Sequence, residues 1–157
     1  MSFLNAKGRN SYNQSGADEK VPSSGGVQSL TETAAFLAGK HCLVLDDEFL
    51  IALDIQQTLE AAGASVICIG DADAALQTLR DGARFDVAVL DVKLSGFTRD
   101  SSDVAAMLTE QGTPFVFLTG MRADNELSNA FPHAPLVEKP YQVEALMDAL
   151  RKALAGR

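Results

Sequence analysis

The chain has 157 residues, a formal net charge of −8 at pH 7 and 46% hydrophobic residues, which suits one domain with its own core. The acidic excess argues against a nucleic-acid-binding surface, because such a surface needs clustered lysines and arginines. The sequence contains neither an apolar stretch of membrane-spanning length nor a signal-peptide pattern near its N-terminus, so we expect a cytoplasmic protein.

Residues 1–38 differ in composition from the rest of the chain. They are rich in Ser, Gly and Asn and contain few large apolar side chains. Such a segment buries too little apolar surface to offset the conformational entropy that folding removes. We therefore expect a disordered leader over residues 1–38, followed by one folded domain over residues 39–157.

From residue 39 onward, short apolar runs alternate with segments of helical periodicity. Alternation of this kind predicts an α/β fold, (βα)5, with a doubly wound, parallel, five-stranded flavodoxin-like sheet and helices on both faces. Asp71 is the predicted N-cap of the second helix. The predicted strands are 41–46, 65–69, 86–91, 114–119 and 135–138, and the predicted helices are 48–62, 72–81, 102 or 103 to 110, 122–131 and 142–154.

Both cysteines of the chain lie in predicted strands. Cys42 belongs to the first strand and Cys68 to the second, and their spacing matches no metal-binding pattern. Because apolar strands of this fold are usually covered by helices, we expect both to be buried free thiols.

Polar side chains stand at the carboxyl ends of the predicted strands. Asp46 and Asp47 follow the first strand, Asp91 ends the third, Thr119 ends the fourth and Lys139 follows the fifth. Parallel strands end at one edge of the sheet, and open α/β sheets bind their ligands there. We therefore expect these side chains to share one cleft.

Three carboxylates in one cleft repel one another and favour a bound cation. Oxygen ligands select a hard ion such as Mg²⁺. A carboxylate can also be the nucleophile in phosphoryl transfer, where an amine and a hydroxyl stabilise the transferred oxygens. Asp91, Lys139 and Thr119 fit these three roles better than a set of unrelated, solvated side chains.

The order Asp46-Asp47, Asp91, Thr119 and Lys139-Pro140 on this pattern resembles the receiver domain of two-component response regulators, over about residues 40–155. The resemblance implies a single-domain response regulator of a phosphorelay, whose Asp91 accepts phosphate from a histidine kinase or a phosphotransfer protein. It implies direct Mg²⁺ ligands from Asp47, Asp91 and the backbone carbonyl of Lys93, with Asp46 acting through water. Thr119 and Lys139 would then contact the phosphoryl group.

The same resemblance implies a protein that is not an enzyme in the usual sense. It would catalyse only its own phosphorylation and dephosphorylation, and would signal by contacting other proteins or by draining phosphate from a kinase. Its acidic excess argues against nucleic acid as a partner, and because no segment has the apolar length of a membrane span, we expect no membrane partner either.

The sequence departs from the receiver pattern in two places. The usual Met-Pro pair is missing after Asp91, and Leu136 replaces the aromatic switch residue three positions before Lys139. The run Phe117-Leu118-Thr119-Gly120-Met121 is similar to the motif of the FAT-GUY receiver subgroup, which lacks that aromatic residue and often pairs with HWE-type kinases. Tyr141 is expected to serve packing.

Three alternative functions are compatible with parts of the pattern. A haloacid-dehalogenase-like phosphatase also uses an Asp nucleophile, but needs a second Asp where Lys93 stands. A flavodoxin-like flavin protein would bind phosphate after the first strand, where Asp46-Asp47-Glu48 would repel it. A pseudo-receiver would bind partners without phosphorylation, and the intact acid and lysine positions argue against it.

Overall fold

The computed structural model describes residues 36–94, 100–120 and 125–156. Its five parallel strands form one sheet in the order β2-β1-β3-β4-β5. This arrangement confirms the predicted doubly wound α/β fold. The strands are β1 (His41–Leu45), β2 (Ser65–Ile69), β3 (Val87–Asp91), β4 (Phe115–Thr119) and β5 (Leu136–Glu138), and the helices are α1 (Phe49–Ala61), α2 (Ala72–Arg80), α3 (Ser101–Glu110), α4 (Asn125–Ala130) and α5 (Val143–Ala155).

The core lies on both faces of the sheet. Every residue of β3 and β4 is buried, which explains why these strands read as continuous apolar runs. Successive side chains of a strand point to opposite faces, so Val89 joins the cluster under α1 and α5 while Leu90 joins the cluster under α2 and α3. The two helical layers therefore hold the central strands, and the carboxyl ends of those strands, in fixed positions.

The helix boundaries follow local capping. The carboxylate of Asp71 accepts a hydrogen bond from the backbone N–H of Ala74 at 2.7 Å, which confirms the predicted N-cap of α2. α3 begins at Ser101, earlier than predicted, because Asp100 caps it by accepting a hydrogen bond from the N–H of Ser102 at 2.9 Å. Of the helix predicted over 122–131, the structure describes Asn125–Ala130, and residues 121–124 lie outside the described part of the chain.

The folded part of the chain includes the last residues of the predicted leader. Leu37 is fully buried in the cluster under α1 and α5. The guanidinium of Arg151 lies over the ring of Phe36, 5.0 Å from its centroid. The packed structure therefore already includes residues 36–38, while residues 1–35 of the predicted leader lie outside the described residues.

The expectation of two buried thiols is right for one cysteine and wrong for the other. Cys42 is buried in β1, whereas Cys68 is exposed on β2, and both are free. Among the described strands, β2 lies at the edge of the sheet beside β1, and three of its five residues are exposed. Within the described residues, no helix combines the length and apolar character that a membrane span requires.

Candidate functional site

The sheet register places the predicted polar residues at one edge. Leu45 lies opposite Leu90, so Asp46 follows β1 at the level where Asp91 ends β3. Thr119 lies opposite Glu138, and Lys139 follows directly. Asp46, Asp91 and Thr119 are each only 3% exposed, and they make up three of the five buried polar side chains in the described residues. Polar burial is thus concentrated where the sequence predicted a site.

Lys139 joins the acidic side chains of this edge. Its ammonium nitrogen lies 3.2 Å from Oδ2 of Asp46, 3.2 Å from Oδ1 of Asp91 and 4.0 Å from Oε1 of Glu48. Its backbone N–H donates a hydrogen bond to the carbonyl of Thr119 at 2.7 Å, which anchors the residue on β4. The side chain is 14% exposed, so the ion pairs are largely shielded from water.

The carboxylates are oriented by neighbouring backbone amides. Oδ1 of Asp46 accepts a hydrogen bond from the N–H of Glu48 at 2.9 Å, and Oδ1 of Asp91 accepts one from the N–H of Lys93 at 3.3 Å. Carboxylate oxygens of Asp46, Glu48 and Asp91 lie within 4.8 Å of one another, close enough to share one cation. Sequence reasoning did not include Glu48 among the ligands, although its place directly after the Asp pair pointed to it.

Two further predicted ligands lie beside this cluster. Asp47 follows Asp46 in the loop between β1 and α1 and is partly exposed, while Lys93 follows β3. Direct coordination by Asp47 and by the backbone carbonyl of Lys93 stays a prediction. Next to Thr119, a Cβ added to Gly120 would meet no atom of the described residues within 4 Å.

The electrostatics of the site favour an additional cation. Burial raises the pKa of Asp91, the charge of Asp46 raises it further, and Lys139 opposes both effects. Burial acts to lower the pKa of Lys139, but the charges of Asp91 and Asp46 outweigh it and raise that pKa. One ammonium therefore faces several carboxylates, and an oxygen-rich donor set of this charge fits a hard divalent ion such as Mg²⁺.

Comparison with known proteins places this chain in a family. No protein-family model matches the chain. The structure is similar to SdrG from Sphingomonas melonis, with 32% identity, a TM-score of 0.62, and coverage of 74% of this chain and 97% of that one. It is also similar to a response regulator receiver protein from Sinorhizobium medicae, with 29% identity, a TM-score of 0.68, and coverage of 74% and 95%. The chain belongs to the receiver family of response regulators.

The curated relatives are longer proteins than this chain. The heme response regulator HssR from Staphylococcus haemolyticus is 27% identical over 116 residues, which are 72% of this chain and 50% of the relative. The chain thus spans half or less of the curated relatives it matches. These relatives are regulators, and nothing in the comparisons favours the phosphatase or the flavin-binding alternative.

Proposed function

We propose that this receiver accepts a phosphoryl group on Asp91 from a histidine kinase or a phosphotransfer protein, with Mg²⁺ bound. It then signals through contacts with other proteins, or serves as a phosphate sink for the kinase. The observation that carries the proposal is the position of Lys139, whose ammonium lies 3.2 Å from both Asp46 and Asp91 at the end of a buried sheet.

The chemistry follows from the side chains around Asp91. An oxygen of the Asp91 carboxylate attacks the phosphorus of a phosphohistidine, a P–O bond forms, the P–N bond breaks, and the histidine ring leaves with the bonding electrons and takes up a proton. Lys139 and the hydroxyl of Thr119 would contact the transferred oxygens and stabilise their negative charge. We propose that the donor's phosphoryl group reaches Asp91 past Gly120, where an added Cβ would meet no atom of the described residues within 4 Å.

We propose that Asp47, Asp91 and the backbone carbonyl of Lys93 would hold Mg²⁺ directly, with Asp46 acting through water. Glu48 belongs to the same cluster of carboxylate oxygens and would add to its negative potential. When bound, the ion would supply positive charge to the phosphoryl oxygens. Lys139 would exchange part of its pairing with Asp46 and Asp91 for the new charge on the phosphoryl group.

We further propose that this receiver is of the FAT-GUY type and pairs with an HWE-type kinase. Leu136 packs against the cluster that contains Phe117, so the position of the usual aromatic switch holds a partly buried aliphatic side chain in contact with the core. Two free cysteines are consistent with the reducing cytoplasm as its location.

An exposed apolar pair lies at the rim of the site and offers a docking point for the phosphoryl donor. Phe49 is 74% exposed and Leu50 is 77% exposed, and both belong to the first turn of α1, directly after Glu48. Two adjacent, large apolar side chains in water favour contact with another protein. We propose that the donor covers them while its phosphohistidine faces Asp91.

Phosphorylation by a small donor tests the proposal without knowledge of the kinase. The whole chain is incubated with phosphoramidate, with and without Mg²⁺, and its intact mass is measured. We expect one added phosphoryl group that requires Mg²⁺, no addition to Asp91→Asn, and normal addition to the control Asp148→Asn, which changes an exposed carboxylate of α5. Equal labelling of Asp91→Asn, or rapid turnover of a generic phosphate ester, would contradict the proposal.

A further inference from the structure

The segment that carries Lys139 is tied to α1 by a side-chain hydrogen bond. The hydroxyl of Tyr141, two residues after Lys139, donates to the Asp54 carboxylate on α1. The Tyr141 ring is half-buried and packs against the cluster under α1 and α5. The ring thus serves packing, as the sequence suggested, while the hydroxyl makes a specific link that packing does not require.

Two anchors therefore flank the Lys139 side chain. On one side, the Lys139 N–H donates to the carbonyl of Thr119 at 2.7 Å, which fixes the residue to β4. On the other side, Tyr141 fixes the following loop to Asp54. A lysine side chain has high conformational freedom, so its ammonium can be aimed at Asp91 only if the main chain that carries it is held in place.

The partner helix is itself joined to the acidic cluster. α1 begins directly after Glu48, whose N–H donates to Asp46. A bond from Tyr141 to α1 therefore connects the segment that supplies the amine with the segment that supplies the acids. Burial, and then the hydrogen bond and charge of Asp54, raise the pKa of Tyr141, so the hydroxyl is protonated and can act as the donor.

We propose that Tyr141 is a positioning residue for phosphoryl acceptance, which acts through its hydrogen bond to Asp54 and holds Lys139 in line with Asp91. The proposal rests on the proposed function, in which Asp91 takes the phosphoryl group and Lys139 contacts it. The hydroxyl of Tyr141 is hydrogen-bonded to Asp54 and not to Asp91, so its loss should change the phosphorylation rate and leave the metal ligands unchanged.

The experiment separates an effect on the phosphorylation rate from an effect on Mg²⁺ affinity. Phosphorylation by phosphoramidate at saturating Mg²⁺ and the Mg²⁺ dissociation constant are measured for wild type, Tyr141→Phe, Asp54→Ala, Asp54→Asn and the double variant Tyr141→Phe/Asp54→Ala. Tyr141→Phe keeps the ring and removes only the donor. We expect it and Asp54→Ala to slow phosphorylation roughly 10-fold or more, with nearly unchanged Mg²⁺ affinity.

The other two variants test the hydrogen bond itself. Asp54→Asn keeps an acceptor oxygen and should restore much of the rate lost in Asp54→Ala. The double variant should be no slower than either single one, because both remove the same bond. Additive losses, a parallel loss of Mg²⁺ affinity, or a wild-type rate in Tyr141→Phe would overturn the inference. A wild-type chain that takes up no phosphoryl group would overturn the proposed function itself.

Discussion

The ammonium of Lys139 lies 3.2 Å from Oδ1 of Asp91, although β4 separates the strands that carry them. The contact requires the lysine side chain to cross the carboxyl end of β4, where Thr119 lies. The same ammonium lies 3.2 Å from Asp46, so one cation pairs with two buried carboxylates. This shared pairing is the relationship on which the proposed acceptor chemistry of Asp91 depends.

Replacing Lys139 with Met should separate metal binding from phosphoryl acceptance. The variant loses the charge that stabilises the transferred oxygens, so we expect phosphorylation by phosphoramidate to slow by roughly 10²-fold. It also loses a cation that competes for the carboxylates of Asp46 and Asp91, so Mg²⁺ should bind more tightly. Initial labelling rates and a Mg²⁺ titration measure the two effects.

The matched control is Lys152→Met, which removes an exposed lysine of α5. It should leave both quantities close to those of wild type. A Lys139→Met variant that is phosphorylated as fast as wild type would show that the amine does not contribute to acceptance.

The titration of Asp91 should appear in the stability of the metal-free protein. Burial and then the charge of Asp46 raise its pKa in the folded state, so the ionised form destabilises the fold relative to the unfolded chain. This cost is present in full above the raised pKa, and it disappears as the pH falls to the ordinary carboxyl value. We therefore expect Asp91→Asn to melt a few degrees above wild type at neutral pH.

Thermal unfolding with a chelator, from neutral pH down to about pH 4, measures this difference. The gap between Asp91→Asn and wild type should narrow on acidification. A gap that is independent of pH, or a variant that is less stable than wild type at neutral pH, would be inconsistent with the raised pKa.

The exposed pair Phe49 and Leu50 should affect the rate of phosphotransfer from a protein donor and not the rate of phosphorylation by a small-molecule donor. We expect Phe49→Ala/Leu50→Ala to slow phosphotransfer from a phosphorylated kinase domain by about 10-fold or more, because docking loses apolar contact. Labelling by phosphoramidate should be unchanged, since neither side chain is part of the cluster around Asp91. Ile67→Ala, which truncates another exposed apolar residue on β2, is the control. If the double variant slowed phosphorylation equally with both donors, the proposed docking role of Phe49 and Leu50 would be contradicted.

The folded domain should begin before residue 38. Leu37 is fully buried, and its truncation to Ala should destabilise the fold by roughly 2–5 kcal/mol. A chain that begins at residue 36 should therefore melt near the temperature of the whole chain, and one that begins at residue 39 well below it. Equal melting temperatures for the two shortened chains would show that Leu37 contributes little.

Several features of the fold and the site follow from the sequence for clear physical reasons. β3 and β4 are buried on both faces, and this burial demands continuous apolar runs that are easy to recognise. Asp46, Asp91 and Thr119 are predicted to lie together because parallel strands end at one edge of the sheet, and the strand register places them at that edge.

Other features depend on tertiary neighbours that a linear pattern does not reveal. The exposure of Cys68 follows from the edge position of β2, which depends on strand order. Leu37 lies in a short apolar run, residues 34–38, at the end of a polar stretch, and its burial depends on packing against α1 and α5. The hydrogen bond from Tyr141 to Asp54 joins residues that are distant in sequence, so neither residue alone signalled it.

The most direct test of phosphoryl acceptance on Asp91 is an amide NMR titration of the whole chain, first with Mg²⁺ and then with beryllofluoride, which mimics a phosphoryl group on a carboxylate. Wild type and Asp91→Asn are compared. We predict that beryllofluoride shifts the amide signals around Asp91, Thr119 and Lys139 in wild type and leaves Asp91→Asn unchanged. Mg²⁺ binding to wild type without any response to beryllofluoride would contradict the assignment of Asp91 as the phosphoryl acceptor.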